Sequence, residues 1–219
     1  MLKVTSVEPQ KKNPKRFNVC LDGEFAFGAD EDLVVNRRLV VGKIIAPEDM
    51  EKILFEAEVG KLMEKMYRWF SLRQHSEKEV RDYFRVKNAE LRMKKEEERS
   101  QVVIDVVIEA LKKKGLLNDL EFAKAWVEAR RKSKQKGIRA IKAELFQKGI
   151  DKEIIEEVVS RQSSVVSEEE LARLALEKKM KHWKDLDPKK LYQKSIEFLL
   201  RKGFEFDLVK EIVGKMFDF

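Results

Sequence analysis

The chain has 219 residues, 43% of them hydrophobic and 40% charged, and 47 Lys and Arg against 40 Asp and Glu give a formal net charge of +7. This apolar content excludes a disordered chain, while one cysteine and two separated histidines exclude a disulfide framework, a multi-cysteine zinc site and an HExxH metal pair. No apolar run is long enough to span a membrane, and neither a signal-peptide core nor a phosphate-binding glycine loop is present, so we expect a cytoplasmic protein without cofactor.

The first 45 residues have the period of β-strands. Apolar and polar residues alternate over 4–7 and 16–21, and Asp22-Gly23 separates the second run from 24–27. Asp-Gly indicates a hairpin because a type I′ turn needs positive φ at both central positions. We therefore predict a small three-stranded antiparallel sheet, followed by a short helix over about 31–37.

From Pro47 onwards the hydrophobic period becomes that of helices. Proline followed by acidic residues, and Ser or Asn followed by Glu at capping-box spacing, are typical of helix starts. These signals predict short helices that begin near residues 48, 77, 101, 119, 137, 151, 168, 188 and 206. Short helices of this kind favour compact bundles over a coiled coil.

An internal repeat has an offset of 54 residues. The segment LFQKGID at 145–151 aligns with LLRKGFE at 199–205, and a weaker copy ends at Gly115. In each copy a glycine stands where a helix ends and a left-handed residue is favoured. The fold class predicted is mainly α, with three tandem three-helix repeats in an elongated, curved array after a small N-terminal antiparallel β-hairpin or sheet.

The predicted domains follow this repeat. We assign 1–46 to an N-terminal β-hairpin extension with a short helix and 47–117 to a linking helix and the first repeat. The second repeat covers 118–163 and the third covers 164–219.

Positive charge is concentrated in two stretches. Residues 127–148 have eight basic and two acidic side chains, and residues 178–202 have nine basic and three acidic, so each stretch has a net charge of +6. In stacked repeats the two stretches can line one side and neutralise nucleic-acid phosphates without sequence preference. The alternative is a solvated surface in a Lys- and Glu-rich protein.

Three motifs open or continue the predicted repeats: LRxxSExEVxxYF from Leu72, LLNDxEFAxxWVxxR from Leu116, and KGxRxIxxELxxKGI from Lys136. Together they resemble the RecX family, bacterial regulators of the recombinase RecA, over about residues 60–219. The N-terminal hairpin is similar to the extension of longer members. The sequence departs from the family pattern at Gln74-His75, where a basic residue and proline are usual, and at Asn118, where an acid is common.

The resemblance implies a non-enzymatic regulator in DNA repair, homologous recombination and the SOS response. Family members bind the RecA filament on single-stranded DNA, lodge in its groove and inhibit its ATPase, strand-exchange and coprotease activities. The implied partners are RecA and its filament, with direct contact to single-stranded DNA compatible with the positive charge. We expect a monomer with no membrane partner.

Candidate contact residues come from the motifs and the first basic stretch, and no catalytic or metal-binding residue is predicted. They are Arg73, Arg81, Arg130, Arg131, Lys136, Arg139, Lys142 and Lys148. Arg130, Lys136 and Arg139 are the first choices, with an ion pair inside its own repeat as the alternative role for Arg130.

Other classes of function stay open at this point. A helix-turn-helix-like regulator would bind duplex DNA sequence-specifically, although no recognition helix stands out. A helical interaction scaffold would use its basic residues only for solubility. An enzyme is disfavoured because no nucleophile–base pair is evident.

Overall fold

The structure is a computed structural model that describes residues 1–162, 167–183 and 187–217. The described residues form four strands, which are β1 (Leu2–Gln10), β2 (Asn13–Leu21), β3 (Glu24–Asp30) and β4 (Ile44–Ile45). They also form ten helices, which are α1 (Glu31–Asn36), α2 (Pro47–Phe70), α3 (Glu77–Met93), α4 (Gln101–Lys113), α5 (Asp119–Lys134), α6 (Ile138–Gln147), α7 (Lys152–Gln162), α8 (Glu168–Met180), α9 (Pro188–Arg201) and α10 (Phe206–Phe217). The mainly helical fold with an N-terminal antiparallel sheet is confirmed.

The helix starts were readable because their signals are local. Each of the nine predicted starts lies within one residue of an observed one. Side chains of Ser100, Asn118, Ser167 and Asp187 accept N–H groups of the first turn of the helix that follows each of them. These contacts satisfy donors that have no partner inside the helix.

The N-terminal sheet has four strands in the order β3-β2-β1-β4, all antiparallel, and not the three that the sequence predicted. Asp22 and Gly23 both have positive φ, 50° and 92°, as a type I′ turn requires. The missed strand β4 pairs Ile45 with Leu2 and Ile44 with Lys3. Two residues are too few to show an alternation of apolar and polar positions.

The chain divides into two compact units, the first of Met1–Gln74 with Val80–Leu117 and the second of His75–Glu79 with Asn118–Phe219. The first unit has two apolar clusters. One joins the sheet to α1 and α2 through Val4, Val19 and Ile53. The other packs α2, α3 and α4 together through residues such as Met66 and Phe84.

The second unit contains the repeat that the sequence revealed. One cluster lies among α5, α6 and α7, and another lies among α8, α9 and α10. Leu145 and Leu199 are both fully buried at the same position of their repeats. Gly149 and Gly203 follow them with φ of 77° and 88°, in the left-handed conformation expected after a helix.

Several features used in the sequence analysis fall on residues that the structure does not describe. The predicted boundary at 163–164, the end of the third repeat at 218–219, and Lys184 and Asp185 of the second basic stretch lie outside the described residues. Among the helices that are described, none is long and apolar enough to cross a membrane.

Candidate functional site

A cleft of about 330 Å³ opens in the second unit, beside the C-terminal ends of α5, α8 and α9. We call it the lysine cleft. Its lining residues are Ser133, Lys134, Gln135, Ala175, Lys178, Lys179, His182, Phe198 and Lys202. Four of these nine are lysines and none is a carboxylate, so the cleft has a strongly positive potential.

The surroundings of Lys202 show how closely the positive charges of the lysine cleft lie together. Its ammonium donates a hydrogen bond to the Lys134 carbonyl and lies 5.3 Å from the centre of the Phe198 ring. Burial lowers the pKa of Lys202, and repulsion from Lys136, Lys178 and Lys134 lowers it further. An anion bound here would relieve that repulsion.

Close backbone contacts between two repeats position the lysine cleft. The Gly137 N–H donates to the Lys202 carbonyl at 2.9 Å, and the Arg139 N–H donates to the Gly203 carbonyl at 3.2 Å. A Cβ at Gly137 would lie 2.4 Å from the Gly203 oxygen, so only glycine allows this approach. The two basic stretches of the sequence, one ending in Lys148 and the other in Lys202, therefore each contribute cations to one cleft.

The lysine cleft is suited to anions rather than to metal chemistry. Lysine ammonium groups are compact point charges that bind phosphate without reading a sequence. Within the described part of the chain, no three His, Cys, Asp or Glu side chains are grouped so that they could hold a metal ion.

Two of the first-choice residues, Arg130 and Lys136, bind the same carboxylate, that of Glu144. Arg130 Nε lies 2.7 Å from Glu144 Oε2, Lys136 Nζ binds Oε1, and Trp126 Nε1 donates to Oε2 at 2.8 Å. Arg130 also lies over the Trp126 ring, 4.0 Å from its centre. The ion pair within the repeat, which the sequence left as the alternative role for Arg130, is thus present.

The Glu144 carboxyl depends on these three donors. Burial raises its pKa, but the hydrogen bonds from Lys136, Arg130 and Trp126 more than offset burial and hold the pKa below its ordinary value. The cluster joins α5 to α6 and so belongs to the framework of the second repeat.

Arg131 also has a structural partner. Its side chain is only 7% exposed and its Nη1 lies 2.7 Å from Glu168 Oε1. The other Glu168 oxygen accepts the Ile138 N–H at 3.1 Å, at the first turn of α6. This buried guanidinium links α5 of the second repeat to α8 of the third.

The remaining predicted residues of the second unit differ in how accessible they are. Arg139 is 62% exposed and makes only a 3.5 Å contact with Glu205. Lys142 pairs with Glu156 at 2.6 Å, and Lys148 pairs with Glu79 at 2.5 Å. Arg139 is therefore the most accessible of these three cations.

Arg73 and Arg81 lie in the first unit. Arg73 is exposed and donates to the Gln74 carbonyl at 2.8 Å. Arg81 on α3 pairs with Asp105 on α4 at 2.8 Å, and this hydrogen bond lowers the pKa of Asp105.

None of the four lysines of the lysine cleft was in the predicted site. Lys134, Lys178, Lys179 and Lys202 lie in the two basic stretches, but the prediction took its residues from the motifs and from the first stretch. The signal that identifies three of them is the second +6 stretch, read together with the repeat, and Lys134 lies in the first stretch.

Two solved structures share this helical fold, and both are RecX proteins. A crystal structure of a regulatory protein RecX aligns with a TM-score of 0.71 at 23% identity and covers 98% of this chain and 100% of its own. The structure of RecX from Lactobacillus salivarius aligns with a TM-score of 0.58 at 23% identity, over 72% of this chain and 96% of its own.

Sequence comparison establishes the family. The regulatory protein RecX of Listeria monocytogenes is 34% identical over 209 residues, which are 95% of this chain and 74% of the relative. That of Bacillus subtilis is 36% identical over 213 residues, which are 97% and 76%. Models of the RecX N-terminal, second three-helix and third three-helix domains match residues 2–46, 118–159 and 167–213. The chain belongs to the RecX family, as its motifs indicated.

Proposed function

We propose that this protein is a non-catalytic regulator that binds the RecA filament on single-stranded DNA and inhibits the ATPase, strand-exchange and coprotease activities of RecA. Family membership supports the regulatory role, since the relatives at 34% and 36% identity are named regulatory proteins. The observation that carries the DNA contact is the lysine cleft, with its four lysines and no lining carboxylate.

The lysine cleft supports binding to phosphates in any sequence. Each lysine that neutralises a phosphate releases condensed counterions, so the affinity depends on salt and not on bases. Positive potential also speeds the encounter with an anionic filament. A regulator that must act anywhere along a filament needs this kind of contact.

Contacts to the protein part of the filament fall to cations outside the lysine cleft. Arg139 is the strongest candidate because it is exposed and only loosely paired. The further candidates are Arg73, Arg81, Lys142 and Lys148. Each of them would give up an internal hydrogen bond or ion pair for a contact with the filament. Arg130, Arg131 and Lys136 act mainly by holding the second unit together. A regulator of this kind works in DNA repair, in the cytoplasm where RecA and the chromosome meet.

The lysine cleft is tested with a matched pair of double variants. Lys178→Gln/Lys179→Gln removes two exposed cations of the cleft on α8, and Lys189→Gln/Lys190→Gln removes two exposed cations at the start of α9 that do not line it. Binding to RecA filaments on single-stranded DNA is measured by co-sedimentation near 0.1 M salt. We expect the first variant to bind roughly 10-fold more weakly and the second to bind like the wild type. Equal binding by all three proteins would remove the lysine cleft from the function.

A further inference from the structure

A second cationic cleft, of about 460 Å³, lies in the first unit between the β1–β2 turn and α2. We call it the hairpin cleft. Its lining residues are Gln10, Lys12, Asn13, Arg16, Lys61, Glu64, Lys65 and Arg68. All eight are polar or charged, and five cations face one carboxylate.

The one carboxylate is already neutralised. Glu64 accepts hydrogen bonds from Asn13 Nδ2 at 2.7 Å, from Arg68 Nη2 at 2.8 Å and from Arg16 Nη1 at 3.4 Å. The Arg16 side chain is 10% exposed and also donates to the Gly28 carbonyl at 3.0 Å. Glu64 and Arg16 thus join the hairpin to α2 and form one wall of the hairpin cleft.

The three lysines of the hairpin cleft have no such partner. Throughout 1–162, 167–183 and 187–217, no carboxylate forms an ion pair with Lys12, Lys61 or Lys65. Burial lowers the pKa of Lys65, and so does repulsion from Arg99, Lys61, Lys87 and Arg68. Positive charge gathered in this way costs free energy in the unbound protein, as is common where a site serves binding rather than stability.

The composition of the hairpin cleft decides which anion it takes. Protein interfaces draw most of their energy from buried Trp, Tyr and Arg anchors, but the hairpin cleft has no aromatic side chain and both of its arginines are already engaged with Glu64. Lysines without ion-pair partners, surrounded by polar side chains, instead suit the evenly spaced phosphates of a nucleic-acid backbone.

We propose that the hairpin cleft binds the phosphodiester backbone of single-stranded DNA, as a second nucleic-acid site separate from the lysine cleft. The choice of single-stranded DNA rests on the proposed function, while the anion chemistry rests on the first unit alone. The N-terminal hairpin thereby has a role of its own in binding.

The test uses the full chain and a fluorescein-labelled oligothymidylate, with no RecA present. Lys61→Gln/Lys65→Gln is compared with Lys94→Gln/Lys113→Gln, which removes two exposed lysines of the same unit outside the hairpin cleft. We expect the first variant to bind roughly 20-fold more weakly near 0.1 M salt, and its slope of log K against log salt to fall by about 1.4. The second variant should keep the wild-type affinity and slope. A wild-type slope in the first variant would overturn the proposal.

A thermal-unfolding measurement separates binding from folding. Because repulsion around Lys65 is relieved, we expect Lys61→Gln/Lys65→Gln to unfold at the wild-type temperature or above it. If it unfolds earlier, Lys12→Gln on the exposed turn replaces it, and the expected loss of slope is about 0.7. An unchanged slope for this second variant would also refute the hairpin cleft as a DNA site.

The outcomes distinguish this site from the proposed function. If the wild type inhibits RecA but Lys61→Gln/Lys65→Gln binds oligothymidylate normally, the function stands and the hairpin cleft fails. If DNA binding depends on the hairpin cleft but RecA is unaffected, the site stands and the function fails. Loss of binding to DNA-free RecA with normal DNA binding would assign the hairpin cleft to an acidic protein surface and overturn the proposal.

Discussion

Arg131 on α5 and Glu168 on α8 form a 2.7 Å ion pair that joins the second repeat to the third within one compact unit. The second oxygen of Glu168 accepts the Ile138 N–H, so one carboxylate serves both a buried guanidinium and the open first turn of α6. The start of α6 has no side-chain cap of its own, because Gly137 occupies that position. A residue from the next repeat therefore takes over the capping role.

The first prediction concerns this ion pair. Arg131→Leu should lower the free energy of unfolding by about 3 kcal/mol, because it leaves the Glu168 carboxylate with one charged partner fewer in a mostly buried position. Arg131→Lys should lose less, since it keeps the charge. Urea unfolding followed by circular dichroism measures both. Wild-type stability of Arg131→Leu would show that the pair contributes nothing to the second unit.

The second prediction separates backbone strain from crowding at two glycines. Gly115 and Gly149 both have positive φ, but a Cβ at Gly115 meets open space, whereas one at Gly149 would lie 2.6 Å from Lys78 Cβ. Gly115→Ala should cost about 1 kcal/mol for the left-handed conformation, and Gly149→Ala at least about 2 kcal/mol. The two urea midpoints provide the comparison. Equal losses would contradict the close packing of Lys78 on the turn.

The third prediction is the acid dependence of the Glu144 cluster. The folded-state pKa of Glu144 lies below its ordinary value of 4.5, so its contribution to stability is complete above that pH and is lost as the pH falls through the folded-state pKa. Glu144→Gln should therefore be less stable than the wild type by about 2 kcal/mol at neutral pH. The difference should shrink under acid. Urea unfolding of both proteins between about pH 7 and pH 3 tests this, and a constant difference would contradict the pKa shift.

The fourth prediction divides two motif cations that the sequence treated alike. Arg139→Ala should weaken binding to the RecA filament while leaving the unfolding midpoint unchanged, because Arg139 is exposed and only loosely paired. Lys136→Ala should instead lower stability by about 1 kcal/mol, because it removes a donor from Glu144. Filament co-sedimentation and urea unfolding are measured on both variants. Wild-type filament binding by a folded Arg139→Ala protein would take Arg139 out of the site.

Much of the fold was predictable because its signals lie close together along the chain. Asn118 and Ser167 each cap the helix that follows, and the N–H groups they bind lie at most three residues further along the chain. The turn at Asp22-Gly23 is specified by those two residues alone. Strand β4 was missed because it depends on pairing with Leu2 and Lys3, more than forty residues earlier, and has no pattern of its own.

The candidate site was less predictable for the same physical reason. A charge count shows that Lys134 and Lys202 belong to basic stretches, but only the packing of α5 against the third repeat brings them into one cleft. In the same way, the motif contains both Arg130 and Glu144 without showing that they are partners across two helices. In the sequence, a cation that lines a cleft looks the same as a cation in an internal ion pair. The two differ only in whether the fold brings a carboxylate to them.

The most direct test of the central claim is the rate of ATP hydrolysis by RecA on single-stranded DNA, with increasing amounts of this protein at two salt concentrations. The account predicts inhibition at substoichiometric amounts that weakens at the higher salt, because phosphate contacts release counterions. An unchanged hydrolysis rate at both salt concentrations, with circular dichroism showing that the protein is folded, would contradict it.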